Sequence, residues 1–232
     1  MKIALMGYGK MGRLIEQFAR QRGHEIVAII SSQTKDSAEQ LEKAEIAIDF
    51  SHASCVLGNL QLCIQLNKSL VIGTTGWDAH FTQAKQLIAH STIGCLYSPN
   101  FSIGIHLFKH MVAYAAQLMS AFTHYDVSGI EYHHSRKADA PSGTAKALTE
   151  ELQKHMPERT NLQFSSIRCG SIPGTHTLLF DSEADTITLT HQARNREGFA
   201  QGAVMAAEWL NGKRGFFTLD DMLPHPYSPL KS

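Results

Sequence analysis

The first hundred residues permit few folds, because strand-like and helix-like runs alternate there with short links. Residues 2–6 (KIALM) form a β-rich run that ends at Gly7. Beyond it, Met11, Leu14, Ile15, Phe18 and Ala19 recur at the i, i+3, i+4, i+7, i+8 spacing of one apolar helical face, and Gly23 stops the helix. EIVAII (residues 25–30) reads as a buried strand and EIAIDF (45–50) as the next, followed by a helix over about residues 54–65. LVIGTTG is a strand running into a glycine turn; a helix over about residues 78–89 and the strand IGCLYS complete the series. Strand and helix in this alternation make an α/β fold with a Rossmann-like, doubly wound parallel sheet.

Near Pro99 the rhythm changes. A helix over about residues 103–119 precedes the strand YDVSGIEYHH, and another follows over about 142–154. Three strand-like runs, FSSIRCG, THTLLF and DTITLTH, are separated by turn signals and predict a mixed or antiparallel sheet. A helix over about 199–210 comes next, then GFFTLDDML, which is too short to fold alone and is expected to return to the first domain. The sequence therefore predicts a dinucleotide-binding domain of residues 1–103 plus 213–232, and a second α+β domain of residues 104–212.

The bulk numbers exclude some functions. Lysine plus arginine number 21 and aspartate plus glutamate 21, a balance without the basic excess of a nucleic-acid binder. No apolar run reaches the ~18 residues that would suggest a membrane span. The N-terminal apolar stretch runs straight into glycines and lacks the pattern of a signal peptide. Cys55, Cys63, Cys95 and Cys169 show no CxxC pairing and read as reduced thiols. The expected compartment is the cytoplasm, with neither nucleic acid nor membrane as a partner.

Gly7, Tyr8, Gly9, Lys10, Met11 and Gly12 fit G-x-G-x-x-G between the first strand and the first helix. In that context the glycines permit a tight turn and close approach of backbone to a pyrophosphate, and the helix N-terminus holds its charge. NAD sites usually place an acid ~20 residues further on, to bind the ribose 2′-hydroxyl. Here Ser31, Ser32, Gln33, Thr34 and Lys35 precede the first acid, Asp36. Serines do not repel a 2′-phosphate, and Lys10, Arg13 or Lys35 would attract one. The expected cofactor is NADPH or NADH, with NADPH used at least as well. Two further turns, Gly73-Thr74-Thr75-Gly76 and Ser98-Pro99-Asn100-Phe101, follow strands at the sheet edge where ligands bind in such folds.

The stretch GIEYHHSRKADAPSGTA (residues 129–145) packs His133, His134, Arg136, Lys137 and Asp139 into seven residues. A solvated charged turn looks like this; so does a place where a small anion is held and protonated. Ser142 is a good helix N-cap, which would present the N–H groups of Gly143 and Thr144 to a carboxylate. Lys137 is a point cation and His133 titrates near neutral pH, so both suit proton transfer. Asp139 is expected to orient Lys137 or brace the turn. Adjacent histidines on a strand point to opposite faces and no nearby cysteine or second His-x-His completes a set, so no metal is expected. Arg168, His176 and Arg194 are candidates for further positive charge at the substrate, with packing or subunit contacts equally open.

The strings GYGKMGR, IDFSH, IGTTG, SPNFSIGI, EYHHSRKADAPSGTA, IRCGSIPGTHTLLF and FAQGAVMAAEWL, nearly end to end, resemble the dihydrodipicolinate reductase (4-hydroxy-tetrahydrodipicolinate reductase) family of lysine and diaminopimelate biosynthesis. The resemblance implies that His133 is the acid/base residue and Lys137 the proton donor. It makes His134, Gly143 and Thr144 contacts of the substrate carboxylates. It makes the first glycine turn (7–12), Gly73, Thr74, Thr75, Ser98, Pro99, Asn100 and Phe101 the cofactor contacts. It further implies reduction of a small cyclic dicarboxylate with NADH or NADPH, no metal, substrate binding and oligomerisation through the domain of residues 104–212, and a homotetramer. Ser31 and Ser32 depart from the acid many members carry there. Two other readings are a related Rossmann dehydrogenase acting on another small carboxylic acid, and a nucleotide sensor without catalysis. The H-H-x-x-K-x-D set counts against a sensor, which needs no proton donor.

Overall fold

Strand β1 (Lys2–Met6) buries four consecutive side chains, the mark of a parallel strand covered on both faces. The computed structural model describes residues 1–32, 38–159 and 162–223, with only the backbone at Ala38. After β1 come α1 (Lys10–Gln21), β2 (Glu25–Ile30), the short α2 (Ala38–Leu41), β3 (Ile46–Asp49), α3 (Val56–Gln65), β4 (Ser69–Ile72), α4 (Phe81–Ala89) and β5 (Gly94–Tyr97). Then follow α5 (Ile103–Met119), β6 (Asp126–His133), α6 (Gly143–His155), β7 (Phe164–Arg168), β8 (Thr175–Asp181), β9 (Thr186–Gln192), α7 (Glu197–Leu210), β10 (Gly215–Thr218) and α8 (Leu219–Met222). The chain divides into two units, Met1–Ile103 with the residues from Glu197 on, and Gly104–Arg196.

In the first unit six parallel strands run in the order β10-β5-β4-β3-β1-β2. The order reverses beside β1, so the crevice at the carboxyl ends of β1 and β3 is the ligand position of this topology. One core, around Ile3, Leu5, Ile15, Val71 and Leu96, fills the face that α1 and α7 cover. The other, around Met6, Leu60, Leu70, Ile72 and Ile88, fills the face under α3 and α4. Cys63 and Cys95 belong to the second core as free thiols, and burial pushes Cys63 up to about 12.

The expected domain boundary at residue 212 assigns α7 to the second domain, whereas the helix belongs to the first unit. Ala200, Ala203, Val204, Ala206, Ala207 and Leu210 of α7 are buried in the first core beside residues of β1, β3, β4 and β5. The fit is close: a Cβ at Gly202 would stand 1.8 Å from the Phe101 carbonyl oxygen, so only glycine lets the helix approach.

The second unit is a mixed four-stranded sheet in the order β7-β6-β8-β9. β7 runs parallel to β6, while β8 and β9 pair antiparallel. Along β6 the side chains alternate, with Val127, Gly129, Glu131 and His133 facing inward. Most of that face is a hydrocarbon core with Phe108, Val112, Ala116, Leu148, Leu152, Leu178 and Phe180 from α5, α6 and β8. At the His133 end of β6 the inward residues become polar, and the functional groups gather there.

Candidate active site

In the first unit β1, β4 and β5 end in turns at one edge of the sheet. Gly7 has φ +90°, and a Cβ there would lie 2.3 Å from the Phe50 carbonyl oxygen. A Cβ at Gly12 would lie 2.4 Å from the Gly7 carbonyl oxygen. Gly9 is the opposite case: nothing stands within 4 Å of where its Cβ would be. The turn is thus closed against the protein and open at the glycine where backbone would meet a ligand. Gly9 also caps α1 without a side-chain acceptor, and the first turn of the helix holds no acid. This cradle fits a dinucleotide pyrophosphate. Lys10 is exposed, Met11 packs on the core, the Tyr8 hydroxyl donates to Glu16, and Arg13 lies 5.6 Å from the Tyr8 ring centroid. Ser31 and Ser32 follow β2; Lys35 lies outside the described residues.

The other two turns are held from below. The buried Thr74 hydroxyl donates to Asp49 Oδ1 at 2.8 Å, and Asn59 donates to Asp49 Oδ2 at 2.8 Å. Trp77 Nε1 donates to the Thr74 carbonyl at 2.8 Å. A Cβ at Gly73 would meet the Phe50 ring at 2.1 Å. Ser98 is buried and donates to the Asn100 carbonyl at 2.6 Å, while Asn100 Oδ1 accepts from the Ser102 N–H at 2.8 Å. Phe101 is buried with its ring centroid 5.8 Å from that of Phe50. The side chains of Thr74, Ser98 and Phe101 therefore shape the turns from inside; Thr75 and Pro99 are the exposed side chains.

In the second unit the strand register builds the site. Ser166 and Arg168 of β7 stand across from Glu131 and His133 of β6, and His176 of β8 stands across from Glu131 on the other side. Glu131 is fully buried at the centre. Its Oε1 accepts from the Ser142 N–H at 3.0 Å, from Ser166 Oγ at 2.7 Å and from Arg168 Nη2 at 2.9 Å. Its Oε2 faces His133 Nδ1 at 3.4 Å and His176 Nε2 at 3.5 Å. Burial alone would raise this carboxyl; the hydrogen bonds from Ser142, Ser166 and Arg168 outweigh it and hold the group at about 2. Burial lowers His133, a trend that Glu131 opposes and that Lys137 and Arg168 reinforce. Burial and the neighbouring His133 push His176 down to about 4.

The same carboxylate fixes the start of α6. Ser142 is the N-cap; its hydroxyl accepts from the Ala145 N–H at 3.2 Å and lies 3.2 Å from His176 Nε2. That leaves the N–H groups of Gly143 and Thr144 as the first two donors of the helix, with Gly143 exposed and open space where its Cβ would be. The turn before it places the Lys137 ammonium 2.8 Å from Asp139 Oδ1, and Lys137 holds the Asp139 carboxyl below the usual range. His134 is half-buried and its carbonyl accepts from the Lys137 N–H at 3.1 Å.

The structure thus brings together His133, Lys137, Asp139, Ser142, Gly143 and Thr144 at one end of the second sheet. Of the cations considered from sequence, Arg168 is spent on Glu131 and the Asp139 carbonyl, and His176 is a neutral buried imidazole rather than a positive charge. Arg194 is exposed. The residue that sequence reasoning passed over is Glu131. The signal was present in E-x-H, because period-two alternation puts Glu131 and His133 on one face of a strand. Glu131, His133 and His176 also bring three potential ligand atoms within 4.8 Å of one another, a juxtaposition no local spacing reveals.

Both buried groups make stability depend on pH in the same direction. His176 has a folded value of about 4 against an ordinary 6.5, and Glu131 about 2 against 4.5. The unfolded chain therefore binds more protons as pH falls, first at His176 and then at Glu131. Their contribution is complete above about pH 7 and drains away below it. The urea midpoint is expected to drop from about pH 7 to about pH 5 by more in the native chain than in His176→Gln. Equal drops in the two proteins would remove the assignment to His176.

The parallel sheet with its glycine turn and the second mixed sheet define a class, the two-domain pyridine-nucleotide reductases. Residues 1–101 match the model of the dihydrodipicolinate reductase N-terminus and residues 104–223 that of its C-terminus, so the chain belongs to the dihydrodipicolinate reductase family. The 4-hydroxy-tetrahydrodipicolinate reductase of Christiangramia forsetii is 34% identical over 96% of this chain and 98% of its own. That of Neisseria gonorrhoeae is 34% identical over 79% of this chain and 74% of its own. Among solved structures, a dipicolinate-bound dihydrodipicolinate reductase from Paenisporosarcina sp. TG-14 superposes with a TM-score of 0.82 at 25% identity, covering 96% of this chain and 99% of that one.

Proposed function

We propose that the chain reduces 4-hydroxy-tetrahydrodipicolinate to tetrahydrodipicolinate with loss of water, as an NAD(P)H-dependent enzyme of lysine and diaminopimelate biosynthesis. The observation that carries the residue roles is the double duty of Glu131, which ties the start of α6 and the His133 imidazole to one buried carboxylate. A dianionic substrate needs N–H-rich and cationic contacts. The Gly143 and Thr144 amides at the positive end of α6 supply the first for one carboxylate, and Lys137 supplies the second; family resemblance alone adds His134 to these contacts.

Overall, one hydride and one proton enter the substrate and one water leaves. The nicotinamide, when bound at the first unit, supplies the hydride. The chain supplies the proton. Lys137, oriented by Asp139, is the donor nearest in character to an exposed acid. His133 exchanges a proton at the same end of the sheet as the hydroxyl departs and the ring is protonated. Gly9 and the uncapped amides of α1 hold the pyrophosphate, while the main chain at Gly73, Thr75, Pro99 and Asn100 lines the edge beyond it.

The dipicolinate named for the Paenisporosarcina structure is an aromatic dicarboxylate, which supports a dicarboxylate site in this chain. The homotetramer rests on the second unit, where Leu107, Met111, Tyr114 and Leu118 form an exposed apolar stripe on α5, and Phe122, Ile167 and Ile187 are exposed as well. No helix among the described residues is long and apolar enough to cross a membrane. The cytoplasm is the compartment where this synthesis and reduced nucleotide meet.

The test is oxidation of NADPH or NADH on substrate made fresh by a coupled upstream synthase. Steady turnover is expected, with NADPH at least as good as NADH because Ser31 and Ser32 offer no charge against a 2′-phosphate. Nucleotide binding without turnover would establish the sensor reading instead. Faster turnover of another carboxylic acid would establish a related dehydrogenase.

A further inference from the structure

We propose that Glu131 is a positioning residue for the reaction: it fixes which nitrogen of His133 carries the proton, and so which nitrogen is offered to the substrate. The inference rests on His133 being the acid/base group. A carboxylate held at about 2 is an acceptor at every working pH. Only a protonated Nδ1 interacts favourably with Oε2 across the 3.4 Å between them. In the neutral ring Nε2 is then a bare lone pair. Nδ1 is shut away from solvent. Nε2 is on the other edge, against Gly174, where φ is +153° and a side chain would begin 3.1 Å from that nitrogen. Glycine at 174 therefore keeps the working edge of the ring clear, while Glu131 holds the opposite edge.

The remaining neighbours of Glu131 serve the same end. Ser142, Ser166 and Arg168 all bond to Oε1, which leaves Oε2 for the imidazoles. The carboxylate opposes the loss of the His133 proton that burial, Lys137 and Arg168 favour. The three ligand atoms of Glu131, His133 and His176 also have the spacing of a cation site. The Arg168 guanidinium already neutralises this carboxylate at 2.9 Å, and Lys137 adds a second positive field at His133, so the arrangement suits a proton rather than a metal ion.

The decisive comparison is Glu131→Gln, in which Oε1 can still accept from Ser142, Ser166 and Arg168 while an NH2 group replaces Oε2. That NH2 requires Nδ1 of His133 to accept, which moves the proton to Nε2. The expected results are a kcat lower by about 10²-fold, a shift of the His133 limb of the pH–rate profile to lower pH, and unchanged NADPH affinity. In ¹⁵N NMR the neutral His133 should be the Nδ1–H form in the native enzyme and the Nε2–H form in the variant. The native spectrum needs no variant, so it decides the point even if Glu131→Gln unfolds. An Nε2–H form in the native enzyme overturns the proposal, as does native kcat with an unmoved limb in Glu131→Gln. Activity abolished by a chelator and restored by zinc alone would overturn it in favour of a metal site. A His133→Gln variant with native turnover would instead refute the reading of His133 itself.

Discussion

Lys137→Ala is expected to lower kcat by roughly 10²–10⁴-fold, the range for loss of a positioned general acid, while the affinity for NADPH stays within about twofold. The reason lies in how the cation is held. Its ammonium sits 2.8 Å from Asp139 and is about a quarter exposed, so it is fixed in direction yet reachable. Its ion-pair partner Asp139 lies in an exposed turn, away from the hydrocarbon core of the second unit, so the fold is expected to survive its removal. The ion pair is too exposed to matter much for stability. A thermal midpoint within a few degrees of native, measured beside the kinetics, separates lost chemistry from lost structure. Turnover within tenfold of native in a folded Lys137→Ala protein would remove the residue from the proton-donor role.

Gly9→Ala is the second large effect, and it falls on the other unit. The glycine has φ −81° and ψ −154°, a conformation that alanine adopts, and there is open space for the methyl group. Stability is therefore expected to fall by no more than about 1 kcal/mol, the ordinary difference between these residues at an N-cap. The methyl group would nevertheless stand where backbone must approach the pyrophosphate. The Kd for NADPH is expected to rise about 10²-fold, equivalent to ~2.7 kcal/mol. Gly12→Ala makes the contrast, because its methyl would collide with the Gly7 carbonyl oxygen at 2.4 Å and disturb the turn itself. Calorimetry or fluorescence titration of the folded Gly9→Ala protein checks this. An unchanged Kd would mean that the pyrophosphate lies elsewhere.

Much of the architecture could be read from local pattern. The βα alternation, the glycine turn opening α1, and Ser142 as a cap depend on spacings of a few residues, which a sequence displays directly. What escaped depends on register between distant strands. Nothing near His176 says that it will stand across from Glu131, since that follows from the antiparallel pairing of β6 with β8. For the same reason a histidine that looks cationic in sequence is neutral in place: burial, not composition, sets its charge. The home of α7 escaped for another reason. It follows β9 without a break signal, and its surface of alanines and glycine is apolar on most sides, which fits either unit until the close approach of Gly202 to Phe101 is seen.

The N-terminus of α6 is expected to bind a substrate carboxylate next to the proton-transfer groups. Amide NMR of the enzyme titrated with dipicolinate tests this most directly. The largest saturable shifts should fall on the Gly143 and Thr144 amides and on the ring of His133, with the Lys137 ammonium perturbed in step. Shifts confined to other surfaces, with Gly143 and Thr144 unmoved at saturation, would contradict it.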